Sequence, residues 1–407
     1  MGTNGDKTML LDGLKVIDLT WNVAGPVSTK CLADHGATVV KLESHKKVDL
    51  LRTYPPYGGG KPGINRSTFG ATFNSSKKSV GIDINNPKSR RVIDKVIAWA
   101  DVIVENFSPQ AVARWGLDYE SAKKINPRII MVSASLQGQT GPYARQPGLG
   151  TMMEAAAGFT ELLGWPDRAP SVGFAYTDYA APWYIASAVL AALDYREREG
   201  HGLYFDLSQL EASLSYLSSY LLDYSANGRV ATRAGNQHPR HAPHGVYRCA
   251  GDDRWCAIAV TSEDEWAALC QAMQLPEWCK TGEYSTAEVR KRREDELNAQ
   301  VEAWTTTYPR DELFALLQRH GVPSGPVENG QDLHEDPQLA HRGYFRKVKH
   351  AEMGEIIQDS VPYQFSVTPG NVSAAPCLGE HTFEFVSEVL GFAAEEVAEM
   401  IGEGVLE

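Results

Sequence analysis

Short apolar runs recur at helix-length intervals through the first third of the chain, and that spacing admits few folds. The runs are Lys15–Leu19 (KVIDL), Thr38–Glu43 (TVVKLE), 79–84 (SVGIDI), 101–105 (DVIVE) and 128–133 (RIIMVS). Each is too short for a helix and rich in Val and Ile, which fit a pleated, buried surface. Helices are expected between them. One covers 27–35 and is closed by Gly36, a residue that readily turns left-handed after a helix end. Another covers 87–100 and opens on Pro87, where a first turn tolerates proline. Strands and helices alternating at this interval predict βαβ units and a mostly parallel sheet.

Beyond residue 150 the pattern changes. Helical stretches are expected over 151–163 and 178–198, a strand over 203–207, and a helix over 208–224 with Ser208 and Glu211 as a capping box. A polar stretch from 226 to 244, rich in Gly, Asn, His, Pro and Arg, reads as a domain boundary. Strands at 245–249 and 255–260 and helices at 262–273, 286–307 and 309–320 make a smaller α+β unit. A strand-like segment (343–365) and a helical tail (380–402) follow. The expected fold class is α/β: a Rossmann-like large domain over 1–225 with a mostly parallel sheet, a small α+β domain over 226–330, and a segment 331–407 that returns to the first.

Composition narrows the function. A formal net charge of -12 argues against a nucleic-acid surface. No apolar run reaches membrane-spanning length, and residues 1–7 carry no secretory hydrophobic segment. The six cysteines are scattered, with no CxxC, which suits a reduced, cytoplasmic protein. No GxGxxG follows the first strand, so no nicotinamide cofactor is expected. His238, His241 and His244 recur at three-residue steps. Pro239 and Pro243 break any helix between them and nothing completes a ligand set, so a lid or an exposed loop is the reading rather than a metal site. Gly58-Gly59-Gly60 lacks the strand-to-helix context of a phosphate loop and reads as a surface loop.

Asp178 stands at a loop-to-helix junction, among Ala, Tyr and Trp, just ahead of the apolar stretch 182–193. Such a carboxylate is either a helix cap or a nucleophile. His45-Lys46-Lys47 and Lys77-Lys78 are either phosphate partners or solvated surface. Asn106-Phe107, an amide beside an aromatic ring at a strand end, suits an adenine or a ribose.

Ordered phrases along nearly the whole chain carry a family resemblance. They are Leu11-Asp12-Gly13-Leu14 with Ala24-Gly25-Pro26, Leu32-Ala33-Asp34-His35-Gly36-Ala37, Phe73-Asn74-Ser75-Ser76-Lys77-Lys78-Ser79, Val104-Glu105-Asn106-Phe107, Gly138-Gln139-Thr140-Gly141-Pro142-Tyr143 and Ala375-Pro376-Cys377-Leu378-Gly379-Glu380-His381. In these the chain resembles the class III (CaiB/BaiF-type) CoA-transferases, a group that takes in formyl-CoA, carnitine and benzylsuccinate CoA-transferases and the α-methylacyl-CoA racemases.

The resemblance implies that Asp178 is the nucleophile. It attacks an acyl-CoA thioester, gives a mixed anhydride and then an aspartyl-CoA thioester, and hands CoA to a second acid without metal or ATP. It also implies CoA contacts at Val23 and Ala24, at Ile82, Asp83, Ile84 and Asn85, at Asn106 and Phe107, and at Arg114, with His45 and Lys46 as phosphate partners. Backbone N–H groups of the 138–141 loop are candidates for holding the oxyanion. An interlocked dimer with an identical or related subunit is implied as well.

Two departures shape the expected substrate. Leu149 stands where the racemase branch has a histidine, and leucine cannot move a proton. Val23 and Ser135 replace polar residues of the formyl-transferase branch. The expected reaction is CoA transfer from succinyl-CoA to a bulky or aromatic acid such as benzylsuccinate, seated near Trp21, Phe174, Tyr176, Tyr179 and Trp183 unless those rings are plain core. The alternatives are an acyl-CoA epimerase and a non-catalytic subunit of a hetero-oligomer.

Overall fold

The computed structural model describes residues 9–368 and 370–407; the reading of residues 1–7 lies outside them. The chain divides into two compact units. Among the described residues, one comprises the chain up to residue 160, with 172–230 and the chain from 337 onward, and the other residues 161–171 and 231–336.

The first unit is built on six parallel strands: β1 (Lys15–Leu19), β2 (Thr38–Glu43), β3 (Lys78–Gly81), β4 (Val102–Glu105), β5 (Ile130–Ser135) and β6 (Tyr204–Ser208). Their order is β3-β2-β1-β4-β5-β6. The inner strands are rich in buried apolar residues because helices cover both faces. On one face, helix Arg90–Trp99 buries Val92, Ile93, Val96 and Ile97, a stripe at helical spacing. On the other, helices Ala24–Ala33 and Tyr176–Glu199 bring Leu32, Ala33, Ile185, Val189 and Ala192 against Val102, Val104, Ile130 and Val132. Each Val, Leu or Ile among them contributes roughly 1.5–3 kcal/mol on burial, which outweighs the smaller helix-propensity cost of the β-branched residues. A hairpin of β10 (Phe345–His350) and β11 (Gly354–Asp359) belongs to the same unit.

The second unit has a three-stranded antiparallel sheet of β7 (His244–Arg248), β8 (Trp255–Ala259) and β9 (Ser324–Pro326). Its core holds Trp266, Leu269, Leu297, Val301, Leu313 and Leu317. The α/β class with a small antiparallel sheet is thus as expected. Several helices are shorter than their apolar pattern. The 151–163 stretch breaks at Gly158, whose φ is +93°, into Gly150–Ala156 and Phe159–Leu162. The 286–307 stretch breaks at Arg293. No described helix is long and apolar enough to cross a membrane.

Candidate active site

In a parallel sheet of this order the crossovers reverse direction between β1 and β4, and a crevice opens outside their carboxyl ends. A cavity of ≈ 350 Å³ lies there. It is lined by Asn22, Val23 and Ala24 after β1, Asn106 to Pro109 after β4, Ala134 to Leu136 at the end of β5, and Gly148 to Thr151, Ala175 and Asp178.

A buried ion cluster fixes the β1 side. Asp18 accepts from Lys77 Nζ at 2.8 Å, Thr29 Oγ1 at 2.7 Å and the Thr20 N–H at 2.7 Å. Lys41 pairs with Asp49 at 3.1 Å, and Asp49 Oδ1 accepts the N–H groups of Asn22 and Leu51 at 3.1 Å each. Burial works against the Asp18 charge, but Lys77 and Lys41 together overcome it and hold the carboxyl far below its usual range. Burial pulls the Lys77 ammonium down to about 8. The cluster holds Asn22 in a left-handed conformation (φ 60°), which turns Val23 and Ala24 toward the cavity. Lys77 is therefore neither surface nor a phosphate partner, being wholly buried.

Asp178 lies in the first turn of helix Tyr176–Glu199. It does not cap that helix: the capping position is Ala175, and no side chain caps it. The helix dipole favours a carboxylate here. Burial wins nonetheless and pushes the carboxyl up to about 6. No ion pair reaches it among the described residues. Thr177 Oγ1 donates to the Gly150 carbonyl at 3.1 Å, which ties this turn to helix Gly150–Ala156. A Cβ at Gly150 would overlap the Asp178 carboxylate. Leu149 lines the cavity beside it, and no histidine is among the lining residues.

The expected ligand-contact residues separate into three groups. Val23, Ala24, Asn106 and Phe107 line the cavity with Asp178. Ile84, Asn85 and Arg114 line a second cavity of ≈ 410 Å³ with Arg90 and Trp115. The Phe107 ring meets Trp21 at 5.6 Å and Trp115 at 5.5 Å, so one aromatic wall connects the two cavities. The rest are engaged elsewhere. Ile82 is 1% exposed and packs in the core. Asp83 pairs with Lys46 at 2.7 Å. The His45 N–H donates to Glu407. Asn106 spends its amide on the Trp21 backbone, accepting the N–H at 2.7 Å and donating to the carbonyl at 2.8 Å.

Other expectations are redrawn. The Gln139 N–H, a candidate for the oxyanion, donates instead to both Asp206 oxygens at 2.9 and 3.0 Å. The five aromatic residues expected around an acyl group do not line the Asp178 cavity. Trp21 packs on Phe107, Phe174 stacks on Tyr179, Tyr176 stacks on Phe159, and Tyr179 and Trp183 line a separate cavity of ≈ 400 Å³. The His238 ring stacks on His241 at 4.4 Å. Among the described residues no group of three or more His, Cys, Asp or Glu is arranged to hold a metal. Sequence reading missed the anchoring role of Glu105, which accepts the Phe107 N–H at 2.8 Å. A carboxylate ending an otherwise apolar strand was the available signal.

Comparison with known proteins follows this geometry. A sequence model described as CoA-transferase family III matches residues 11–382. The chain is 32% identical to a succinyl-CoA–D-citramalate CoA-transferase of Chloroflexus aurantiacus, over 95% of this chain and 96% of that one. It is 32% identical to a succinate–glutarate CoA-transferase of Agrobacterium fabrum, over 93% and 95%. Among solved structures, a CaiB/BaiF family protein from Brucella suis superposes with a TM-score of 0.86 at 31% identity, covering 94% of this chain and all of that one.

Proposed function

The chain belongs to CoA-transferase family III, and on that premise we propose that it moves CoA from succinyl-CoA to a second carboxylic acid through Asp178. The carrying observation is the Asp178 carboxylate: mostly buried, without a cation, and opening on the cavity at the strand ends. A desolvated carboxylate is a stronger nucleophile than a hydrated one, and a thioester is a good electrophile.

An Asp178 oxygen attacks the succinyl carbonyl, and the C–S bond breaks to release CoA thiolate and a mixed anhydride. The thiolate, held beside it, attacks the aspartyl carbonyl, and succinate leaves. The enzyme then carries CoA as an aspartyl thioester. The acceptor carboxylate attacks that carbonyl and displaces the thiolate, which returns to the acceptor's own carbonyl and frees Asp178. Holding the thiolate in place supplies the effective molarity that lets the departed thiolate react again as a nucleophile.

CoA would occupy the two cavities in sequence. Its pantetheine arm would run past Val23, Ala24 and Phe107, with the adenine and its phosphates near Asn85, Arg114 and Lys47, whose ammonium sits over the Trp21 ring at 5.3 Å. Citramalate and glutarate in the relatives' names support a small dicarboxylic acceptor. The absence of the expected aromatic residues from the cavity lining weighs against the aromatic acid. Leu149 beside Asp178 opposes an epimerase.

The working form is a dimer with a second copy of the chain. Helix Ser218–Asn227 has no buried residue in the isolated chain, although it carries Tyr220, Leu221, Leu222 and Tyr224. An exposed apolar patch of that kind marks an interface.

The test traps the intermediate. The protein is incubated with succinyl-CoA, treated with hydroxylamine or borohydride, digested and mapped by mass. A label on the peptide containing Asp178 is expected. An active enzyme whose Asp178 peptide never changes mass would refute the covalent route.

A further inference from the structure

Three residues on neighbouring strands form a polar row at the carboxyl end of the sheet. Glu105 ends β4, Ser133 pairs with it on β5, and Asp206 pairs with Ser133 on β6. In-register partners in a parallel sheet point to one face. The two carboxylates each hold a loop that follows a strand. Glu105 Oε2 accepts the Phe107 N–H at 2.8 Å. Asp206 accepts the Gln139 N–H through both oxygens. Asp206 is exposed, whereas Glu105 is 2% exposed.

The groups facing Glu105 are the Ser133 hydroxyl, the Phe107 amide and, on β6, Tyr204 and Asp206. No lysine or arginine pairs with it among the described residues. Burial pushes its carboxyl up to about 7, with Asp206 adding to the rise and the Ser133 and Phe107 hydrogen bonds opposing it. A buried carboxylate without a cation costs stability. A carboxamide would accept the same N–H with no charge to desolvate. What the charge adds is a hydrogen bond about twice as strong as a neutral one. That bond fixes the backbone of Phe107, whose ring sits between Trp21 and Trp115 and joins the two cavities.

We propose that Glu105 is a positioning residue for the CoA thioester: through the Phe107 amide its carboxylate holds the Trp21–Phe107–Trp115 wall on which CoA is seated. This rests on the reading of that wall as the CoA contact. Protonation weakens the bond, so CoA is held less firmly as pH falls through neutrality, a dependence separate from the ionisation of Asp178.

The experiment measures KM for succinyl-CoA and kcat between pH 6 and pH 8 in the wild type, Glu105→Gln and Glu105→Ala. The titration of CoA's own phosphate is common to all three and cancels in the comparison. The wild-type KM is expected to rise several-fold toward pH 6 beyond that common change. Glu105→Gln, which keeps an acceptor without the charge, should lose this extra rise. Glu105→Ala should show a KM raised by roughly tenfold at pH 8, the size of a lost charged hydrogen bond, with kcat within about twofold on the same ground, since Asp178 is untouched. The same extra KM rise in Glu105→Gln as in the wild type overturns the proposal, as does a Glu105→Ala defect confined to kcat. Should Glu105→Ala not fold, the wild type against Glu105→Gln decides. No turnover in the wild type sinks the functional reading itself, whereas normal turnover with superimposable Glu105→Gln and wild-type profiles sinks the proposal alone.

Discussion

Gly150 sets how closely backbone can approach the Asp178 carboxylate. Any side chain there meets the carboxylate itself, and its Cβ is fixed to the backbone and cannot rotate away. Gly150→Ala is therefore expected to lower kcat by about a hundredfold, the cost of roughly 1 Å of misplacement at a reacting centre. Its circular dichroism should be unchanged; full activity in this variant would mean that Asp178 does not react from the observed position. The ionisation of Asp178 has its own signature. Burial raises its carboxyl to about 6, so kcat should rise with pH through that value and level off above it. The linkage has the sign of a raised acid. The folded state holds this proton more tightly than the unfolded chain, so ionisation costs stability as pH rises from about 4 to about 6, and the cost persists above. Asp178→Asn should abolish transfer yet melt no lower than the wild type at pH 8. A clear drop in its melting temperature would show that the carboxylate serves the fold instead.

The turn between β1 and helix Ala24–Ala33 depends on charges that the solvent never reaches. Asp18 and Lys77 are fully buried, and Lys41 and Asp49 nearly so. Removing one partner strands the other. Asp18→Asn leaves Lys77 and Lys41 facing a neutral amide, and the expected loss is about 3–5 kcal/mol, read as a lower urea midpoint. A loss under about 1 kcal/mol would put this pair in the class of surface bridges. Asp18 and Glu43 are the lowered acids here, Glu43 because Arg52 outweighs its burial with bonds of 2.7 and 2.8 Å. Their contribution is present above about pH 4 and is lost as pH falls through their depressed values. Acid should therefore loosen the β1 turn, while Asp178 and Glu105 act with the opposite sign.

At the scale of the molecule, the proposed dimer would cover helix Ser218–Asn227, which exposes Tyr220, Leu221, Leu222 and Tyr224. Leu222 is 68% exposed, and burying it against a second copy would remove that area from water. Sedimentation of the wild type is expected to give a dimer, and Leu222→Glu should shift it toward monomer with loss of activity. A wild-type monomer with full activity would remove the dimer from the proposal.

How much of this was legible beforehand differs between fold and site. The parallel sheet was readable because βαβ order is written in local apolar runs, and a residue's periodicity is a property of its neighbours. Asp178 was proposed from its place in an ordered series of phrases; on its own it read more readily as a cap. The fates of Ile82, Asp83 and Lys46 were not readable, because each is decided by a partner far along the chain: Leu406 beside Ile82, and the Asp83–Lys46 pair closed by Glu407. Nor did the helix lengths follow from pattern alone, since Gly158 and Arg293 end helices whose apolar spacing continues past them. Local sequence thus determined the strands, the class of sheet and a short list of reactive side chains. Only the tertiary structure decided which of them lost water, because desolvation depends on what the whole chain packs around a group, and it is desolvation that raises Asp178 and Glu105.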